Sequence, residues 1–273
     1  MLWPVDWDKP SDENSALCAG FPMGVWHGEG TFSFKYRYFK PVSDNGSDSA
    51  APERKYPLVV HLHGADAFGD DNRLQLDLHD IGTMFARPEW QEHDPCYILV
   101  PQCDQYKHWA RSDVAFDLQQ FIISFTEKYK DIDTSRIYLY GYSAGGLGVF
   151  TLLKKYPEYY AGAIPICGAT NGEDIRKLLK TPVWMVHAID DRIVKATYGN
   201  PGEGSKFYLG SKDIYEILHN IPEKGSDVRY TEYPDGWMKK ILGVNPHCSW
   251  VAVSDQRLGE EFRKWLFKQK RTK

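Results

Sequence analysis

Short apolar runs alternate with amphipathic segments along most of the chain. Several runs are apolar at every position, as strands buried on both faces of a parallel sheet are; they span 57–63, 96–102, 136–142, 161–167 and 182–188. Between them, residues 112–130 carry apolar side chains at spacings of three and four, the period of an amphipathic helix. This alternation predicts an α/β fold with a mostly parallel central sheet, helices on both faces, and functional groups at the carboxyl ends of the strands.

The stretch 31–39 differs from these runs because apolar and polar residues alternate along it. The pattern predicts an antiparallel strand with one aromatic face. That face comprises Phe32, Phe34, Tyr36 and Tyr38. The polar, turn-forming segment 41–55 that follows predicts a surface loop. We interpret the whole chain, 1–273, as a single domain with an N-terminal extension over residues 1–29.

Composition and charge narrow the classes of partner. Hydrophobic residues make up 42% of the chain and charged residues 26%, which is typical of a globular protein. The net charge of −4 and the scattered Lys and Arg residues argue against nucleic acid as a partner. No apolar run approaches the roughly 18 residues of a membrane span, so no membrane partner is expected. The N-terminus lacks a signal-peptide pattern, which predicts a cytoplasmic protein, or a secreted one whose leader is absent from this sequence. The spacing of the five cysteines indicates no disulfide framework.

The segment "YLYGYSAGG" places Ser143 in a glycine-rich turn between the apolar run 136–142 and a helical pattern. A G-x-S-x-G sequence between strand and helix predicts a nucleophile elbow, in which the serine projects from the top of the sheet. Gly141 and Gly145 leave room for strand and helix to approach this turn. The amide of Ala144, at the start of the helix, is then placed to bind an oxyanion.

A serine hydroxyl becomes a strong nucleophile only when a base takes its proton and an acid orients that base. In proteins with such an elbow, the acid follows the serine along the chain and the base follows the acid. The segment "HAIDDRIV" offers two candidate acids, Asp190 and Asp191, directly after an apolar run. We favour Asp191 because Val194, three residues later, can anchor the loop. The other aspartate then caps a turn or is solvated.

The candidate base is His247 in "NPHCSW". It lies between a strand-like run, 228–234, and an amphipathic helix predicted over about 254–268. A histidine in this position follows the acid along the chain and falls at the same edge of the sheet.

The segment "HLHGADAFGDDN" follows the run 57–63. Its His63-Gly64-Ala65 sequence predicts a loop in which the amide of Ala65 is a second oxyanion donor. His61 and His63 lie on one strand face and could ligate a metal, although no nearby carboxylate pattern completes such a site. The alternative is that His61 packs within the sheet and His63 supports the loop through hydrogen bonds.

Taken together, these segments resemble the α/β-hydrolase superfamily. Within it the chain is similar to microbial carboxylesterases and predicted peptidases related to dienelactone hydrolases and to feruloyl and acetyl xylan esterases. The similarity runs from Tyr36 to Trp250. It is carried by "YRYFKP", "YPLVVHLHGADAFGDDN", "FARPEW", "VPQC", "RIYLYGYSAGG", "IPICGA", "PVWMVHAIDDRIV", "YTEYP" and "HCSW".

The resemblance implies Ser143 as nucleophile, Asp191 as acid and His247 as base. It also implies Ala65 and Ala144 as oxyanion donors. The chain departs from the family pattern in two places. Ala188 replaces the glycine of the acid motif, and the segment before His247 is longer than usual. We interpret this segment, about 234–246, as a possible flap over the site.

These features predict a serine carboxylesterase that acts through an acyl-enzyme and requires no cofactor or metal. Aromatic residues in or next to the site loops suit sugar rings or phenolic acyl groups, so feruloyl or acetyl esters on plant polysaccharide are the leading substrates. The proposed substrate-binding residues are Trp109, Tyr142, Trp237 and Trp250. Trp184, on a buried strand, is better explained as a core residue than as a substrate contact. Core or rim packing is also the alternative role for the four proposed substrate-binding residues. The alternatives in function are a peptidase or thioesterase with the same triad, and a binding protein that has lost catalysis.

Overall fold

A computed structural model describes residues 9–28, 32–41, 54–104, 107–202, 207–222 and 225–271. The extension predicted over residues 1–29 therefore lies partly outside the described residues, as does most of the polar loop predicted over 41–55. Within the described part of the chain, no helix is long and apolar enough to cross a membrane. The five cysteines are all described, and each is buried and outside any disulfide.

Within the described residues, the central sheet contains eight strands: β1 (Met23–His27), β2 (Ser33–Phe39), β3 (Tyr56–Leu62), β4 (Tyr97–Gln102), β5 (Ile132–Tyr142), β6 (Gly162–Ile166), β8 (Val183–Ala188) and β11 (Val228–Tyr233). Their order across the sheet is β1-β2-β4-β3-β5-β6-β8-β11. The first three strands in this order pair antiparallel, and the rest are parallel. A separate small sheet, which the sequence pattern does not predict, contains β7 (Ala169–Thr170), β9 (Asn200–Pro201) and β10 (Phe207–Gly210).

Helices cover both faces of the large sheet. They are α1 (Asp12–Ala19), α2 (Leu74–Asp77), α3 (Pro88–His93), α4 (Ser112–Lys128), α5 (Ala144–Lys155), α6 (Ser211–His219), α7 (Trp250–Ser254) and α8 (Glu260–Lys268). The apolar faces of α4, α5 and α6 pack on one side of the sheet, and those of α7 and α8 pack on the other. Every residue of β3 is buried, as a strand between two helical layers must be. The predicted α/β fold is confirmed.

Strand β2 confirms the antiparallel strand predicted from alternation. Phe34 and Tyr36 are buried in the core, and the ring of Tyr36 lies 4.8 Å from that of Phe121 on α4. The aromatic face of β2 therefore fixes helix α4 against the antiparallel end of the sheet.

The helix predicted over about 254–268 begins later, at Glu260, because a turn over residues 255–259 separates α8 from α7, which ends at Ser254. Asp255 ends α7, and its Oδ1 accepts hydrogen bonds from the amides of Arg257 and Leu258, both at 2.9 Å. Gly259 then passes so close to α7 that a Cβ atom there would lie 1.9 Å from the carbonyl oxygen of Val253. The apolar period continues across this turn, so periodicity alone does not reveal it.

Candidate active site

Ser143 lies in the sharp turn between β5 and α5. Its φ of 53° and ψ of −119° are strained for a residue with a side chain, as the nucleophile elbow requires. The neighbouring glycines allow the turn to pack against β3. A Cβ on Gly145 would lie 1.9 Å from the carbonyl oxygen of Leu62, and one on Gly141 would lie 2.7 Å from the same oxygen.

Ser143, His247 and Asp191 form a continuous chain of hydrogen bonds. His247 Nε2 lies 2.9 Å from Ser143 Oγ, and His247 Nδ1 lies 2.7 Å from Asp191 Oδ2. His247 and Asp191 are 1% and 3% exposed, so their contact is shielded from water. With the Nδ1 proton donated to the carboxylate, Nε2 is free to take the proton of the serine hydroxyl.

The fold brings these groups together at the carboxyl edge of the parallel sheet. Asp191 follows β8 in a tight turn, in which its amide donates to the carbonyl of Ala188 at 3.2 Å. Its Oδ1 accepts the amides of Ile193 at 2.8 Å and Val194 at 3.1 Å, which leaves Oδ2 directed at His247. The carboxylate of Asp191 therefore stabilises the turn in which it lies.

Asp190 has a different environment from its neighbour. Its Oδ2 accepts the amide of Gly236 at 2.9 Å, so it holds the segment that leads to His247. The structure places Asp191, and not Asp190, against the imidazole.

A second histidine, His187, also contacts the carboxylate of Asp191. His187 Nε2 lies 2.8 Å from the carbonyl oxygen of Val194 and 3.2 Å from Asp191 Oδ2. Both partners are acceptors, so Nε2 carries the proton, and Nδ1 accepts from the hydroxyl of Ser211 at 2.9 Å. Sequence reasoning missed this residue. The available signal was a histidine inside an otherwise apolar strand, four residues before the acid.

The surroundings keep Asp191 ionised. Burial alone would raise its pKa, but the charge of His247 and the hydrogen bonds from His187 and His247 lower the pKa well below the usual value. A carboxylate is therefore available to hold the imidazole, and to stabilise the imidazolium that forms when Ser143 loses its proton.

A small cavity of about 70 Å³ opens at the serine. It is lined by Ala65, Asp66, Tyr142, Ser143, Ile193, His247 and Trp250. Ala65 and Ala144 each begin a helical turn, so their amides have no partner within that turn and are suited to binding an oxyanion. Of the four predicted substrate-binding residues, the cavity brings together Tyr142 and Trp250, whose rings lie 4.4 Å apart.

Trp109 does not reach this cavity. It is fully buried, and its Nε1 donates to the carbonyl of His63 at 3.0 Å, so it supports the loop that carries Ala65 from below. The prediction that Trp109 lines the substrate site is wrong. The sequence alone does not distinguish a tryptophan that lines the site from one that packs beneath a site loop. Trp184 packs against Phe262, as the core-packing interpretation expects.

Trp237 also lies away from the cavity, in the segment interpreted as a possible flap. Its ring stacks on that of Tyr233 at 4.5 Å, and the neighbouring Met238 is completely buried. None of residues 234–246, all of which are described, lines the cavity. The segment is thus anchored on the body of the domain by Trp237, by Met238 and by the hydrogen bond from Gly236 to Asp190.

The two histidines near the Ala65 loop have structural contacts. His63 Nδ1 lies 2.7 Å from the carbonyl oxygen of Gly64, and His63 Nε2 accepts the amide of Cys103 at 3.0 Å. His61 is buried beside the ring of Tyr140, 4.6 Å away, and burial holds its pKa well below the usual value. These contacts agree with the interpretation that His61 packs within the sheet and that His63 supports the loop through hydrogen bonds.

Cys167, Asp191 and His247 offer ligand atoms within 4.8 Å of one another. Burial raises the pKa of the Cys167 thiol well above its usual value, whereas a thiol must ionise to bind a metal strongly. Asp191 and His247 already bond to each other. The group fits proton transfer to and from Ser143 better than metal binding.

Comparison with known proteins gives matches among solved structures. A thermostable esterase is 32% identical with a TM-score of 0.78, and the match covers 94% of this chain and 64% of that chain. An acylaminoacyl peptidase from Pyrococcus horikoshii is 14% identical with a TM-score of 0.59, covering 96% of this chain and 44% of that one. A fluorophosphonate-binding serine hydrolase of Staphylococcus aureus is 10% identical with a TM-score of 0.56, covering 91% of this chain and 97% of that one.

A scan of protein-family models and a search of curated proteins gave no match. The order of the strands, the serine elbow between β5 and α5, and the similarity to the esterase structure define the class of protein. The chain has the α/β-hydrolase fold. It spans 64% of the length of the esterase to which it is similar.

Proposed function

We propose that this chain is a serine esterase that hydrolyses carboxylic esters with short acyl groups, with acetyl esters preferred to feruloyl esters. The hydrogen-bonded chain from Ser143 through His247 to Asp191 is the observation that carries the proposal. The similarity to the thermostable esterase supports hydrolysis of esters.

In the proposed reaction, Ser143 Oγ attacks the ester carbonyl while His247 Nε2 takes the hydroxyl proton. The carbonyl oxygen becomes an oxyanion that the amides of Ala65 and Ala144 bind, each of which is worth about 100-fold or more in rate. His247 then gives the proton to the leaving alcohol, and an acyl-enzyme remains. A water molecule then gives a proton to the same nitrogen and attacks the acyl carbon. The bond between the acyl carbon and Ser143 Oγ breaks, and His247 returns the proton to Oγ, which releases the acid and restores Ser143.

The size of the cavity supports the preference for short acyl groups. A cavity of about 70 Å³ has room for only a few water-sized groups, since one water molecule takes up roughly 30 Å³ in the liquid. An acetyl group is within this size, and a feruloyl group is much larger. Tyr142 and Trp250 are almost completely buried, and their rings pack against each other on one side of the cavity. A feruloyl group would have to lie outside the cavity.

The proposal is tested by measuring kcat/KM for p-nitrophenyl acetate, butyrate, octanoate and ferulate, with acetylated xylan as a polymeric substrate. We expect the highest value for acetate and a steady decrease as the acyl group grows. p-Nitroacetanilide, the amide counterpart of the acetate, distinguishes an esterase from a peptidase and should be cleaved far more slowly. Hydrolysis of none of the esters would overturn the proposed activity, and faster cleavage of octanoate or ferulate would overturn the acyl preference.

A further inference from the structure

A carboxylate, that of Asp66, lines the cavity beside Ser143 and directly follows the oxyanion donor Ala65. Its two oxygens have separate partners. Tyr142 Oη donates to Oδ1 at 2.9 Å, and His79 Nε2 donates to Oδ2 at 2.6 Å. The side chain is 13% exposed, so the carboxylate is largely buried but open to the cavity.

Asp66 is ionised at neutral pH. Burial by itself would raise its pKa, but the hydrogen bonds from His79 and Tyr142 and the charge of His79 lower the pKa below the usual value. A negative charge next to an oxyanion site opposes the charge that develops there. A carboxylate in this position therefore disfavours the reaction unless it has another use.

Positioning of the loop is one such use, but the loop has other anchors. A Cβ on Gly64 would lie 2.4 Å from the ring of Tyr142, so the backbone already packs tightly on that ring. The amide of Gly69 donates to the carbonyl of Cys103 at 2.9 Å, and Trp109 holds the carbonyl of His63. The position of the loop therefore does not depend on the carboxylate alone.

Recognition of a substrate group is the other use. Each oxygen of an ionised carboxylate can accept about two hydrogen bonds, and each oxygen of Asp66 has one described donor. Among the described contacts the carboxylate therefore has acceptor capacity left for a donor that enters the cavity, which it lines. A hydroxyl suits this small and largely buried space better than an ammonium group, because an ion loses more solvation on entering it.

We propose that Asp66 is a substrate-binding residue that accepts a hydrogen bond from a hydroxyl group next to the scissile ester. The inference rests on the proposed esterase activity and defines its substrates as short esters that carry a neighbouring hydroxyl, as partly acetylated sugars and other polyols do. Tyr142 and His79 are positioning residues, since they orient the carboxylate and offset part of its charge.

The test uses two matched pairs of esters, which distinguish a hydroxyl on the alcohol part from one on the acyl part. The first pair is 2-hydroxyethyl acetate and 2-methoxyethyl acetate, and the second is ethyl glycolate and ethyl methoxyacetate. In each pair the methyl ether cannot donate a hydrogen bond. For at least one pair we expect the wild-type protein to favour the hydroxy ester in kcat/KM by about ten- to a hundredfold, the range of a hydrogen bond to a charged group.

Asp66→Ala should bring this ratio close to one, and Asp70→Asn should leave it unchanged. Asp70 is the matched control because it lies on the same loop with its side chain 89% exposed. An equal decrease for both members of each pair would show that Asp66 only positions the loop, and it would overturn the proposal. A wild-type ratio near one in both pairs, or faster cleavage of glycine ethyl ester than of ethyl glycolate, would overturn it as well.

p-Nitrophenyl acetate separates this inference from the proposed activity. If the wild-type protein cleaves that ester but does not discriminate within the pairs, only the role of Asp66 fails. If it cleaves no ester at all, the esterase proposal fails. Circular dichroism of Asp66→Ala verifies that the variant is folded. Should it not fold, Asp66→Asn takes its place. This variant keeps the size of the side chain and removes its charge, and the ratio should fall to a few-fold because a neutral oxygen accepts a weaker hydrogen bond; an unchanged ratio would overturn the proposal.

Discussion

Replacement of Asp191 by Asn should leave the site assembled but give His247 the wrong proton arrangement. Asp191 Oδ1 accepts the amides of Ile193 and Val194, so the carboxamide oxygen of the variant must occupy that position. The NH₂ group is then directed at His247 Nδ1, where Oδ2 stood 2.7 Å away. Since NH₂ only donates, Nδ1 must become the acceptor, and the imidazole proton moves to Nε2.

With its proton on Nε2, His247 can no longer accept the proton of Ser143. A triad with this tautomer loses about 10⁴ in kcat, which corresponds to about 5.4 kcal/mol of transition-state stabilisation. The same NH₂ group also faces the Nε2 proton of His187, now 3.2 Å away. This contact between two donors leaves a buried group unsatisfied and should lower the free energy of unfolding by about 1–3 kcal/mol.

The assay is hydrolysis of p-nitrophenyl acetate at pH 7.5, followed by absorbance, with urea unfolding of the same preparations. Asp190→Asn is the matched control. Asp190 is the neighbouring residue of the same type and contacts the amide of Gly236 instead of the imidazole. It should retain kcat within about threefold, because the carboxamide oxygen of Asn can accept the same hydrogen bond from Gly236. A crippled Asp190→Asn, or an Asp191→Asn variant with a tenth of wild-type activity, would refute the reasoning.

Three further predictions follow from the contacts of the site. Gly145→Ala should prevent folding or strongly lower the melting temperature, because its Cβ would lie 1.9 Å from the carbonyl oxygen of Leu62. A melting temperature within about 2 °C of wild type would contradict the packing of the elbow. Trp237→Ala should lower the melting temperature and decrease kcat/KM equally for small and bulky esters, because the ring packs on Tyr233; selective loss on bulky esters would instead indicate a flap. The pKa of Asp191 lies below the value of about 3.9 in the unfolded chain, so its carboxylate stabilises the fold fully above about pH 5 and less as the pH falls. The difference in unfolding free energy between wild type and Asp191→Asn should therefore decrease between pH 6 and pH 3. A constant difference would contradict this.

Local sequence signals predicted the fold because the buried strands are short and apolar on both faces. The elbow was found for a related reason. Backbone contacts with β3 require small residues at Gly141 and Gly145, so the turn is visible in the sequence as two glycines on either side of the serine. Asp191 was preferred to Asp190 on the position of Val194, and the amide of Val194 is one of the two that fix its carboxylate.

Contacts between distant parts of the chain were not predictable in this way. His187 meets Ser211 only because α6 begins beside the end of β8. Asp66 gains its partners His79 and Tyr142 from separate segments, and nothing in its own neighbourhood indicates a buried carboxylate. For Trp109 the sequence shows only that a tryptophan lies near the site loops. Its direction, toward the core, depends on tertiary packing.

Covalent labelling of Ser143 tests the central claim most directly. The protein is incubated with a fluorophosphonate probe, and the modified residue is located by mass spectrometry of the digested protein. We predict one adduct per chain, on Ser143, with none on the Ser143→Ala variant and a strongly decreased rate of labelling on Asp191→Asn. Failure of the folded wild-type protein to react, or an adduct on another residue that persists in Ser143→Ala, would contradict the account.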